Sequence, residues 1–199
     1  MNCSFPKPQY KVLYLACCGF ALAFAFALLL PGSLLLGSSA SAQSSGGNNA
    51  FGFNSNRISG FPTGAAKLTG GGAFNLATGF VKSAGGFRCL EDVNQGPLTG
   101  CQSGQGVRWD TASLLASTTF KCTGAASEPL KTANTSPGST TPDTVVLLAD
   151  FYRAGDGNDE SFTGKMIVST RDLDPETPGV QNVWIEKVGC GTGVVNFNR

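Results

Sequence analysis

Acidic and amide side chains crowd the segment 154–162, which reads AGDGNDESF. Four of them offer the oxygen ligands that Ca²⁺ takes in proteins: Asp156, Asn158, Asp159 and Glu160. The glycine spacing resembles one unit of a calcium-binding nonapeptide repeat, but the chain has a single copy, and Ser161 stands where that unit has an apolar residue. We therefore interpret the segment as a hairpin loop of turn-forming residues and predict no metal site.

A second constellation lies just before this loop, where Asp150 and Tyr152 follow an apolar run and share one face of a predicted strand. If that face lines the lumen of a barrel, a buried carboxylate beside a phenol could perform acid–base chemistry. The simpler interpretation is that the strand has reached the mouth of the barrel, where polar side chains meet water. Arg108 and Asp110 also share a face, and a surface ion pair explains them.

Other chemistries are excluded by composition. The chain has no histidine, so Ser-His-Asp and Cys-His catalysis and histidine metal sites are ruled out. It has no P-loop or dinucleotide-binding fingerprint, and we predict no cofactor. Its 14 basic and 13 acidic residues form no basic patch, so we expect no nucleic-acid partner. No catalytic residue is identified, and whether the chain is an enzyme stays open.

The cysteines indicate disulfides. Four of the seven lie beyond the N-terminal apolar run: Cys89, Cys101, Cys122 and Cys190. They lack the closely spaced pairs of a structural zinc site, which favours two disulfides in an exported domain. Four cysteines allow three connectivities. We favour Cys89–Cys101, which closes a local loop, with Cys122–Cys190, which joins distant strands. The runner-up pairs Cys89 with Cys122, because FRC and FKC place both thiols on equivalent faces.

The N-terminus has the pattern of an export signal. Lys7 and Lys11 precede an almost wholly apolar run over residues 12–36, and Ala40 and Ala42 flank Ser41 in a cleavage pattern. We predict a signal peptide over 1–42, cleaved after Ala42, and a secreted or periplasmic mature chain with no permanent membrane span. The alternative is an uncleaved N-terminal helix that tethers the chain to a membrane.

The elements that must position these residues are short strands separated by glycine turns. We predict a flexible leader over 43–56 and one all-β domain over 57–199. The clearest element is a hairpin of TVVLLADFY and ESFTGKMIV. One short helix is predicted near 111–116, capped by Asp110 or Thr111. Because both faces of 144–152 are largely apolar, we favour a single antiparallel β-barrel over a β-sandwich.

These features predict an exported, disulfide-stapled β-barrel that acts as a non-enzymatic binding or surface module. Its partner would be a small apolar ligand or another protein. The alternative function is a barrel enzyme of isomerase, cyclase or hydrolase type that uses Asp150 and Tyr152 in its lumen.

Overall fold

The computed structural model describes residues 47–133, 140–153 and 161–198. This part of the chain is all β and contains no helix. A helical bilayer span is therefore absent from these residues. The strands are β1 (Asn49–Gly60), β2 (Ala65–Phe74), β3 (Val81–Glu91), β4 (Arg108–Leu114), β5 (Thr119–Phe120), β6 (Lys131–Thr132), β7 (Thr144–Tyr152), β8 (Ser161–Ser169), β9 (Val183–Ile185), β10 (Gly189–Gly191) and β11 (Gly193–Asn198).

One large antiparallel sheet closes on itself. Its order is β10-β9-β8-β7-β4-β3-β2-β1-β11, and β10 also pairs with β1, so that eight strands form a ring. The length of β1 makes this possible, because its first half pairs with β11 and its last two residues pair with β10. A register shift between Ser55 and Ile58 separates the two halves. The ring therefore closes through a short ladder that involves only Ser59 and Gly60 of β1.

The interior of the ring is filled by apolar side chains. Every strand of the ring contributes to this core except β10, and its largest fully buried members include Trp109, Phe74, Phe151 and Met166. Rings pack edge to face across it, with the centroids of Phe87 and Phe151 5.0 Å apart. Such a core leaves little room for a ligand inside the ring.

A second, smaller core lies outside the ring. The segment 115–133, called here the outer segment, includes β5 and β6 and packs against outward-facing side chains of the sheet. Val146 of β7, Ile167 of β8 and Trp184 of β9 are buried beneath it. This layer explains why both faces of β7 are apolar in the sequence, because each face of the strand is covered by a different core.

The predicted hairpin is confirmed. β7 and β8 pair along their whole length, from Thr144 opposite Ser169 to Tyr152 opposite Ser161. The face of β7 that is buried in the main core consists of Val145, Leu147, Ala149 and Phe151.

The helix predicted near 111–116 is wrong. Residues 111–114 continue β4 and pair with β7, with Thr111 opposite Ala149 and Leu114 opposite Leu147. The adjacent leucines misled the prediction because they resemble one face of a helix. Leu114 ends β4 and packs against the main core, whereas Leu115, the residue after the strand, packs against the outer core.

The leader predicted over 43–56 also needs correction where the structure describes it. β1 begins at Asn49, so residues 49–56 belong to the sheet. Phe51 and Phe53 are buried in the main core, and Phe53 lies beside Trp109 with ring centroids 6.0 Å apart. Gly52 and Asn54 occupy the alternate positions, and the polar Ser55 takes the next buried position after Phe53, which hid the period of two.

Trp109 is seated against two glycine-rich strands, which predicts a strong effect of Gly85→Ala. A Cβ at Gly85 would lie 2.7 Å from Nε1 of Trp109 and would overlap the carbonyl oxygen of Thr69, to which that indole N–H donates at 2.8 Å. We expect a loss of about 1–3 kcal/mol of unfolding free energy, measured by denaturant unfolding. Gly52→Ala is the control, because its Cβ meets nothing closer than 3.9 Å. A Gly85→Ala variant as stable as Gly52→Ala would contradict this account.

Candidate functional site

Asp150 and Tyr152 lie on the outer face of β7. The residues between and beside them, Ala149 and Phe151, point inward and are fully buried, whereas Asp150 and Tyr152 are half-buried. The lumen arrangement that acid–base chemistry would need is therefore not present. The lumen placement that the enzyme alternative requires is therefore wrong. The prediction that the two side chains share one face of the strand is confirmed.

The two strands that flank β7 bring further polar groups to this face. Asp110 of β4 lies directly opposite Asp150, and Thr163 of β8 lies opposite on the other side. The hydroxyl of Thr163 donates to Oδ1 of Asp150 at 2.6 Å. The hydroxyl of Tyr152 donates to Oδ1 of Asp110 at 3.4 Å. We call this group, together with Arg108, the outer polar cluster.

The interpretation of Arg108 and Asp110 as an ion pair is wrong. No ion pair joins them within the described residues. The guanidinium of Arg108 lies over the ring of Tyr152 instead, 4.5 Å from its centroid. The cross-strand register explains this contact, because Arg108 is directly opposite Tyr152. Arginine stacks well on aromatic faces, so the phenol competes with the carboxylate for it.

The electrostatics of the cluster favour the neutral phenol. Desolvation raises the pKa of Tyr152 above its usual value, and the negative charges of Asp110 and Asp150 raise it further, against the opposing charge of Arg108. A phenol with a raised pKa keeps its proton at neutral pH. It can donate a hydrogen bond but is a poor general base, so the cluster supplies recognition groups more readily than a catalytic base.

Asp110→Asn should lower the pKa of Tyr152 toward its usual value. The change removes a negative charge that opposes phenolate formation and keeps an oxygen that can accept the hydrogen bond. Tyr152 is the sole tyrosine beyond residue 42, so phenolate absorbance during an alkaline titration of the chain lacking 1–42 reports on it alone. Glu176→Gln, at a largely exposed side chain, is the charge-matched control. An unchanged titration midpoint in Asp110→Asn would show that the carboxylate does not act on the phenol.

The calcium-like segment cannot be placed. Residues 154–160, which include Asp156, Asn158, Asp159 and Glu160, lie outside the described residues. The strands on either side of them are paired up to Tyr152 and Ser161. The interpretation as a hairpin loop stays a prediction.

The four cysteines form two disulfides with the connectivity favoured from the sequence. Cys89 pairs with Cys101 across 12 residues, with Cα atoms 6.3 Å apart. Cys122 pairs with Cys190 across 68 residues, with Cα atoms 4.8 Å apart. The first bridge belongs to the main core, and the second fastens the outer segment to β10.

A buried ion network braces the same part of the outer segment. The side chains of Glu128, Lys131 and Asp174 are 8%, 15% and 4% exposed. The ammonium of Lys131 lies against Asp174 and 3.4 Å from Oε1 of Glu128. Glu128 also accepts the backbone N–H of Cys122 at 2.9 Å and that of Thr123 at 2.6 Å. The network thus fixes the turn that follows Cys122.

The charged state of the network is favoured. Burial would raise the pKa of Glu128, but hydrogen bonds from Thr123, the backbone of Cys122 and Lys131 hold it below its usual value. Burial likewise opposes ionisation of Asp174, whose pKa is lowered by Lys131 and Thr177. The pKa of Lys131 is raised by both carboxylates against its own burial. All three groups are therefore ionised at neutral pH.

Ligand-type atoms of Cys122, Glu128 and Asp174 lie within 4.8 Å of one another, a spacing that could suit a metal ion. The sulfur of Cys122 is bonded to Cys190, so it is not a thiolate. The ammonium of Lys131 already supplies the positive charge between the carboxylates. The geometry therefore describes an internal salt bridge. No sequence motif indicates this salt bridge, because 43 residues separate Lys131 from Asp174.

Cavities on the outside of the ring border the outer segment. One of about 590 Å³ is lined by residues that include Leu130, Arg171 and Glu176. Another, of about 340 Å³, lies between the outer segment and the turn that joins β9 to β10. The sequence pattern did not reveal these cavities.

The described residues form an all-β fold with a large closed antiparallel sheet, a packed interior and two disulfides. Comparison of the chain with family models, curated proteins and solved structures gives no match.

Proposed function

We propose that the ring is a closed antiparallel β-barrel and that the chain is an exported, disulfide-stapled binding or surface module without enzymatic activity. The observation that carries this proposal is the packed interior. An eight-stranded barrel is just wide enough to be filled by its own side chains. Trp109, Phe151 and Met166 are fully buried there, so contact with a ligand falls on the outside.

The enzyme alternative loses its main support, since Asp150 and Tyr152 point away from the interior. The pKa of Tyr152 is raised, which suits a hydrogen-bond donor. A partner at the outer face would be a small ligand or another protein. With nearly balanced charge in the whole chain, nucleic acid is not proposed as a partner.

Export is supported by the two disulfides, which persist in oxidising compartments. Lys7, Lys11 and the apolar run over 12–36 supply the signal, and cleavage after Ala42 would release a secreted or periplasmic chain. Retention by an uncleaved N-terminal helix is the alternative.

Fractionation of a bacterial host that expresses the full chain tests this proposal. We expect mass spectrometry of the periplasmic or secreted fraction to find Gln43 as the N-terminal residue and thiol titration of the denatured, unreduced protein to find no free thiol. An intact N-terminus in the membrane fraction would support the tethered alternative. Reduced protein that starts at Met1 in the soluble cytosol would contradict export.

A further inference from the structure

The cavity between the outer segment and the β9–β10 turn has the size of a small-ligand site. Its volume is about 340 Å³, at the lower end of the range for ligand pockets. Its lining residues include Phe61, Lys121, Lys165, Glu186 and Lys187. Phe61 is half-buried and Lys187 is exposed at the rim, so a ligand can reach both.

The cavity carries excess positive charge. Three lysines line it, and Glu186 is the one acidic residue among its described lining residues. Glu186 is occupied by Lys165, whose Nζ lies 3.6 Å from Oε1 of the carboxylate. Within the described chain, neither Lys121 nor Lys187 forms an ion pair. The two ammonium groups that remain are the kind of donors that a carboxylate or phosphate accepts.

The backbone of Lys187 supplies independent support. Its φ of 61° makes it the one described non-glycine residue in the left-handed region. Glycine or asparagine normally takes such a turn position, because a Cβ is strained there. The carbonyl of Lys187 accepts a hydrogen bond from Nε2 of Gln95 at 2.9 Å, which helps to hold this conformation. Strained backbone positions cluster at functional sites, so a lysine at this position suggests a functional role for its side chain.

The side chain of Lys187 is placed beside an aromatic ring. Its Nζ lies 5.7 Å from the ring centroid of Phe61, within the distance of a cation–π contact. An ammonium next to a partly accessible ring matches a ligand that has an anionic group attached to a flat apolar group. A purely apolar ligand would leave the ammonium groups without a partner.

We propose that this cavity binds a small organic oxyanion, with Lys121 and Lys187 at the carboxylate or phosphate group and Phe61 against the apolar part. This inference rests on the proposed function as a binding module and specifies its site and ligand class.

Titration with phenyl phosphate and with benzoate, followed by amide NMR shifts, tests the proposal and separates the two oxyanions. We expect saturable shifts in residues 119–126 and 184–187 with at least one probe, and weaker binding of inorganic phosphate or of benzyl alcohol alone. The tighter of the two aromatic probes identifies the preferred oxyanion. Failure of both probes to shift these residues at concentrations of about 10 mM, or shifts that centre elsewhere, would overturn the proposal.

Two variants should move the affinity in opposite directions. Lys187→Gly removes the ammonium and relieves the backbone strain, so we expect about tenfold weaker binding with an unchanged or higher melting temperature. Glu186→Gln removes the competing carboxylate, so we expect severalfold tighter binding. Lys67→Gln is the control at an exposed lysine outside the cavity. Equal weakening by Lys67→Gln and Lys187→Gly would show general charge attraction and no site.

These experiments distinguish a failure of the proposed ligand site from a failure of the proposed function. Release of phenol from phenyl phosphate would contradict the non-enzymatic role and leave the cavity as a site. A cytosolic, reduced chain that still binds the probe would contradict export alone. An exported chain that binds no probe would contradict the ligand class alone.

Discussion

Replacing Cys122 and Cys190 together by alanine lowers the free energy of unfolding by about 4 kcal/mol, because the bridge closes a loop of 68 residues in the unfolded chain. Both half-cystines are also buried in the outer core, so the change removes packing as well. For a domain of this size the loss corresponds to a fall of roughly 8–16 °C in melting temperature. Calorimetry or thermal circular dichroism of the purified variant measures it.

The other disulfide supplies the matched control. Cys89 and Cys101 are separated by 12 residues, and the same chain-entropy relation gives about 3 kcal/mol for the loss of that bridge. We expect the variant that lacks Cys122–Cys190 to melt at the lower temperature of the two. The reverse order, or two variants as stable as the oxidised parent, would refute the role assigned to the long bridge.

The position of the long bridge explains why its effect should be the larger one. Cys190 lies in β10, which closes the ring through a ladder that contains only the pairs Ser59–Cys190 and Gly60–Gly189. The bridge holds the outer segment directly over this ladder, where the N–H of Gly124 donates to the carbonyl of Gly60 at 3.2 Å. Loss of the bridge therefore weakens the ring closure and the outer core together.

Strands whose apolar residues recur at every second position could be predicted from the sequence. β7 and β8 have continuous apolar faces and a glycine-rich connection, and their full ladder matches the expected hairpin. The first part of β1, up to residue 56, was missed because the Gly, Ser and Asn residues around Phe51 and Phe53 resemble a linker in composition. Leu114 and Leu115 resembled a helix because propensity cannot show that two cores lie on either side of one strand.

The candidate sites also differ in how far the sequence could predict them. The sequence left three disulfide connectivities open, and the structure has the favoured one, in which Cys89–Cys101 closes a short local loop. The placement of Asp150 depends on which face of β7 turns inward, and both faces are apolar near Val145 and Val146. The contact between Lys131 and Asp174 arises only when the outer segment folds over the sheet, which no periodicity specifies.

Lys131→Met should lower the free energy of unfolding by about 3–5 kcal/mol at neutral pH, because it leaves Asp174 and Glu128 buried without their cation. Removal of one partner from a buried ion pair is costly, whereas removal from an exposed pair changes little. Arg57→Met is the control, since Arg57 and Glu91 are both about half exposed, and we expect a change within about 1 kcal/mol. Denaturant unfolding of both variants makes the comparison.

The pH dependence of the stability loss distinguishes removal of the ion network from general destabilisation of the fold. The pKa values of Asp174 and Glu128 are lowered by folding, so their stabilisation is present above the unfolded values near about 4 and is lost as the pH falls through the folded ones. The pKa of Lys131 is raised, so its contribution persists until strongly alkaline pH. In Lys131→Met the isolated carboxylate of Asp174 instead gains stability when it is protonated.

The difference in stability between the parent and Lys131→Met should therefore shrink as the pH is lowered through about 4. A second substitution checks the cause: Asp174→Asn in the Lys131→Met background removes the unpaired charge and should recover part of the loss at neutral pH. A pH-independent difference that Asp174→Asn does not reduce would mean that Lys131 acts through packing of its aliphatic stem. The ion network would then make no electrostatic contribution to holding the outer segment on the sheet.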